Sequence, residues 1–61
     1  MEVKVRYVST YPNKKDSVEF HIDDGSFCEM ATDLIDQWDL YRFKNGMYDA
    51  AIVDVREVFA A

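Results

Sequence analysis

The chain has 61 residues, with 12 Asp or Glu against 7 Lys or Arg and a net charge of −5; this disfavours direct binding to nucleic acid or to an anionic membrane, since both attractions rest on Lys and Arg. Its length allows a single domain, 1–61, and an apolar content of 49% suits a folded chain and not a disordered one. Cys28 is the only cysteine and His21 the only histidine, so neither an internal disulfide nor a tetrahedral zinc site can be built.

From the N-terminus, Val3, Val5 and Tyr7 alternate with Glu2, Lys4 and Arg6, the period of a half-buried strand, and Val8 extends it. Tyr11-Pro12-Asn13-Lys14-Lys15-Asp16 reads as a polar turn in which Pro12 bars further pairing. Val18, Phe20 and Ile22 alternate with Glu19, His21 and Asp23 as a second strand, and the two form an antiparallel hairpin.

Asp23-Asp24-Gly25 ends that strand, and Ser26 to Glu29 has the spacing of a capping box. Phe27, Met30, Ala31, Leu34, Ile35 and Trp38 then fall at i, i+3, i+4, i+7, i+8 and i+11, an apolar stripe on a helix of about three turns. Leu40 to Lys44 alternates again and reads as a strand, with Asn45-Gly46 as a type I′ hairpin turn. The return strand runs from Met47 to Phe59, with an irregularity near Asp49-Ala50. A helical stripe of Tyr48, Ala51, Ile52, Val55 and Phe59 competes with it, and the density of Ile and Val favours the strand. The fold class is therefore α+β, in the order β-β-α-β-β, with one helix on a small antiparallel sheet.

A domain this small buries only about 60% of the surface its unfolded chain exposes. With disulfide and zinc excluded, self-association is the remaining support, and a homodimer is expected. No stretch approaches the roughly 20 apolar residues of a membrane span, and the N-terminus has no signal-peptide pattern. A lone thiol suits a reducing compartment. The chain is expected to be soluble and cytoplasmic, in the host cell if it is phage-encoded.

The charge is unevenly placed. Asp16, Glu19, Asp23, Asp24, Glu29, Asp33, Asp36 and Asp39 fall between residues 16 and 41 with no Lys or Arg among them. Glu29, Asp33 and Asp36 share one helical face at i, i+4 and i+7. Such a surface either keeps a small protein soluble or steers a basic partner toward it. The candidate partner-binding residues are Glu29, Asp33 and Asp36, with Asp23, Asp24 and Asp39 flanking them. Trp38 and Tyr41 are the candidate aromatic contacts, Trp38 serving equally well as core or dimer interface.

Catalysis lacks a residue set. His21 falls on the polar side of its strand, and Cys28, in the first helical turn, sits beside Glu29 with no basic neighbour in sequence. Asp23 and Asp24 lack the ligand spacing of a calcium loop, and Gly25 and Gly46 are isolated, so no phosphate loop forms. The chain is expected to act by binding, with no metal and no cofactor. As an adaptor or regulatory module it would need no basic partner.

In its acidic charge, hairpin, capped helix and terminal Ile/Val-rich strand, the chain resembles the small uracil-DNA glycosylase inhibitors of Bacillus phages. The resemblance covers most of the chain as an order of elements and a charge pattern, with no residue-level motif, so no family residues carry over. It implies a dimeric DNA mimic that occupies the DNA groove of a basic, DNA-binding host protein, uracil-DNA glycosylase in particular.

Overall fold

A computed structural model describes residues 1–10 and 15–59. The order is β1 (Glu2–Val8), β2 (Ser17–His21), α1 (Phe27–Lys44) and β3 (Ala51–Val58). It is an α+β fold, with one helix beside a three-stranded sheet of order β2-β1-β3. Most of the turn expected at Tyr11 to Asp16 lies outside the described residues.

β1 is the central strand and pairs antiparallel on both sides. Val3 meets Phe20 and Glu57, and Val5 meets Val18 and Val55. The alternation of β1 decides its two faces: Val3, Val5 and Tyr7 are buried, while Glu2, Lys4 and Arg6 are exposed. Phe20, Ile22, Trp38, Met47 and Ala50 complete the core, and Met30, Leu34 and Tyr41 pack against it. Full burial of such side chains contributes roughly 1.5–3 kcal/mol each. The opposite sheet face carries Lys4, Arg6, Glu19, His21 and Arg56 and is solvated.

β3 follows β1 from Glu2↔Val58 to Arg6↔Asp54, then slips so that Tyr7 meets Ile52, leaving Val53 as the extra residue of a bulge. None of the eight residues of β3 is buried.

Three linked expectations need correction. Leu40 to Lys44 is not a strand, for α1 continues over 18 residues to Lys44. The alternation of Tyr41 and Phe43 imitates a strand, yet no helix breaker precedes Asn45. Arg42 and Asp39 form an i,i+3 ion pair at 2.6 Å, and Arg42 and Lys44 lie in the last turn, where cations favour the helix dipole. Asn45-Gly46 is accordingly no hairpin turn. Asn45 caps the helix, Gly46 takes φ of 68°, and its amide donates to Phe43 O while the Met47 amide donates to Arg42 O. These are the two bonds of a Schellman cap, which needs the same left-handed glycine that a type I′ turn does. β3 therefore begins at Ala51, not Met47, and Met47 and Ala50 seal one end of the core.

The apolar stripe is also only partly buried. Met30, Leu34 and Trp38 turn inward, whereas Phe27 is 82% exposed and Ile35 is also exposed.

Candidate functional site

The acidic face begins at a helix N-terminus. The Ser26 side chain accepts the Glu29 amide at 3.2 Å and donates to Glu29 Oε1 at 2.9 Å. Glu29 thus answers through the Ser26 hydroxyl, and not through the backbone amide that a capping box uses. One turn on, Asp33 Oδ1 accepts from Gln37 Nε2 at 3.1 Å, and the same nitrogen donates to the His21 carbonyl at 2.8 Å. Gln37 so ties the acidic face of α1 to the end of β2, a role no sequence spacing signals. The Asp36 side chain makes no hydrogen bond among the described residues and is exposed.

Glu29, Asp33 and Asp36, with Cys28 and Thr32, line one shallow depression on the outside of α1. At about 1.5 Å of rise per residue, the three carboxylates span about 10 Å of axis, one charge per ~5 Å. One DNA strand carries a charge per about 3.4 Å, so the row reaches roughly two thirds of that density.

The flanking residues divide. Asp24 is exposed in the segment before the helix. Asp23 Oδ1 lies 3.1 Å from His21 Nε2, and Glu2 Oε1 lies 2.6 Å from His21 Nδ1. Glu2 above all, then Asp23, raise the His21 pKa from 6.5. Asp39 is held by Arg42, whose guanidinium also donates to Tyr48 O at 3.1 Å and lies 6.0 Å from the Trp38 ring centroid. Asp39 therefore adds little free charge to the row.

The two aromatic candidates belong to the interior. Trp38 is 6% exposed and lies 5.3 Å from the Tyr7 ring, so it takes the core role of those weighed for it. Tyr41 is half-buried, stacked on Trp38 at 6.0 Å, and its hydroxyl shares a hydrogen bond of 2.8 Å with that of Tyr7. Burial, then that bond, pushes its phenol up to about 12. Neither offers a free ring beside the acidic row.

Asp49 was not among the candidates, yet it organises the far end of the sheet. Its carboxylate accepts from Ser9 Oγ at 2.8 Å, Thr10 N at 2.7 Å and the Thr10 hydroxyl. The Thr10 hydroxyl and amide hold its pKa below the ordinary carboxylate range. A second concave surface, a groove of about 280 Å³, lies between α1 and β3. Phe27, Met30, Ala31 and Leu34 form one wall, and Val55 with Glu57 the other.

No group of three or more His, Cys, Asp or Glu among the described residues is placed to hold a metal ion. No described helix is long and apolar enough to cross a membrane. The chain matches no protein-family model, no curated protein and no solved structure.

Proposed function

We propose that this protein acts by occupancy, as an acidic inhibitor that presents the outer face of α1 to the nucleic-acid site of a basic, DNA-binding protein. The observation that carries the reading is the row Glu29, Asp33 and Asp36, in a stretch from residue 16 to 41 that holds no Lys or Arg to neutralise it. Carboxylates fixed on a rigid helix present charge at little conformational cost, and a one-signed surface speeds encounter with an oppositely charged groove. The resemblance to the phage inhibitors makes bacterial uracil-DNA glycosylase the first enzyme to test. Binding of this kind requires no chemistry from the inhibitor itself.

The test is inhibition of uracil excision by the purified chain, at low and high salt. Inhibition should weaken steeply with salt. Asp36→Lys, which disturbs no hydrogen bond among the described residues, should weaken it by at least about tenfold, or 1.4 kcal/mol. Reversing Asp33 as well should abolish it while the circular dichroism spectrum stays native. Undiminished inhibition by the double variant would sink the acidic-face reading. The uncovered groove and β3 favour a second reading, an adaptor that binds through apolar contact. It predicts a partner that need not be basic and only a weak salt effect.

A further inference from the structure

We infer that β3 is a self-pairing edge, joining antiparallel to β3 of a second copy about a two-fold axis through Val55. This goes beyond the proposed inhibition and does not depend on it.

The argument starts from which backbone groups are free. Met1 and Ile22 exchange hydrogen bonds at 2.6 and 2.8 Å, and the Tyr7 amide donates to Asp16 O at 2.9 Å. The odd residues of β1 therefore turn their amides and carbonyls toward β2. Its even residues turn toward β3, where Glu2, Lys4 and Arg6 face Val58, Arg56 and Asp54. Along an antiparallel strand these directions alternate. Val55 and Glu57 consequently point their amides and carbonyls away from β1, at the open edge. An exposed strand of eight residues carrying Ile52, Val53, Val55 and Val58 is a ready template for another chain.

The charges decide which chain and which register. Outward-pointing residues must meet outward-pointing residues, so a symmetric pair is centred on a residue and not between two. Centring on Asp54, Arg56 or Glu57 sets a charged residue against its own copy, which is destabilising. Centring on Ile52 or Val53 falls at the bulge, and centring on Ala51 or Val58 pairs only one end of the strand. Centring on Val55 leaves valine against valine and sets Asp54 opposite the partner's Arg56, twice over. These two pairs are of the non-hydrogen-bonded kind, in which side chains lie closest. Within one copy Arg56 stands opposite Lys4, a like charge, and its Nε lies 2.7 Å from Asp54 Oδ2. The partner's Asp54 would supply a carboxylate on the side of Arg56 away from Lys4.

The apolar side agrees. A two-fold axis normal to the sheet places both helices on the same face, with the two Val55 side chains between the two grooves. Val55, 44% exposed in one copy, would then be covered. The sheet becomes six-stranded, ending on the short β2 at both sides.

Sedimentation of the purified chain alone, from micromolar to millimolar concentration, tests this without any basic partner. A failure here therefore leaves the inhibitor reading untouched. The expected result is a monomer–dimer equilibrium in which the Val55 amide is protected from hydrogen exchange in the dimer only. Arg56→Asp creates two like-charged pairs across the axis while placing a carboxylate opposite Lys4 within the copy, so the fold is retained. It should weaken the dimer by at least about tenfold. Asp54→Arg combined with Arg56→Asp restores opposite charges and should recover the dimer to within about threefold. A monomer at every concentration overturns the proposal. So does a dimer indifferent to Arg56→Asp, or one in which the Val55 amide still exchanges freely.

Discussion

β2 and β3 flank the same central strand in the same antiparallel sense, and both turn apolar residues toward the helix side of the sheet, yet they end in opposite conditions. Phe20 of β2 lies against Tyr41 with ring centroids 6.1 Å apart and is 8% exposed. Val55 of β3, on the same side of the sheet, is open. The difference lies in the helix. Tyr7, Trp38 and Tyr41 form one aromatic group, and Gln37 fastens α1 to the end of β2. With the helix committed to that side, one edge is roofed and the other is not. Register on the central strand thus tells which way a side chain faces and leaves open whether anything covers it.

Truncation tests this contrast most directly. Phe20→Ala should cost about 3–5 kcal/mol, a large share of the stability of so small a domain. Ile52→Ala on the other edge should cost less than about 1 kcal/mol in the monomer, as its side chain is already partly hydrated. Urea titration read by circular dichroism compares the two. Equal losses would mean that the edges are not energetically distinct.

A smaller effect is expected where the chain turns from α1 toward β3. A methyl group on Gly46 would meet no atom within 4 Å, so the cost of Gly46→Ala is conformational alone. Holding Ala at a positive φ should destabilise by about 1–2 kcal/mol. A loss near zero in the same titration would mean that the Schellman cap does not hold this end of β3.

The smallest effect belongs to the polar side of the β2 edge. Glu2 and Asp23 raise the His21 pKa, so their contribution is fully present below pH 6.5 and is lost as pH rises through the folded value. Glu2→Gln should bring the His21 titration, followed by nuclear magnetic resonance, back toward 6.5. An unchanged titration would remove Glu2 as the main cause.

Much of this architecture was legible beforehand, for identifiable reasons. β1 and β2 follow from unbroken alternation, and the helix start follows from Ser26. The strand at 51–58 follows from its Ile and Val. The helix end differs from expectation because Asn45-Gly46 suits two structures that both require a left-handed glycine, and local residues do not choose between them. What chose was the core, which takes Met47 and Ala50 as its seal. At the candidate site, the spacing of Glu29, Asp33 and Asp36 sufficed to place them on one face. The burial of Trp38 and the pairing of Asp39 depend on β1 and on the extra helical turn, which no window around the helix start contains.

The placement of β1 between the other two strands has a consequence for the order of folding. Joining β1 to β2 closes a loop of 8 residues, from 9 to 16, whereas joining β1 to β3 closes one of 42, from 9 to 50. The longer closure costs about 1.5 kcal/mol more in chain entropy. On this hypothesis the hairpin forms early and β3 docks last. Kinetics of the same two variants would separate the steps, Phe20→Ala slowing folding and Ile52→Ala chiefly hastening unfolding; the reverse pattern would refute that order. Until β3 docks, Glu2, Lys4 and Arg6 must keep their β3-facing amides and carbonyls in water, so the middle strand of the finished sheet spends part of its folding as an edge.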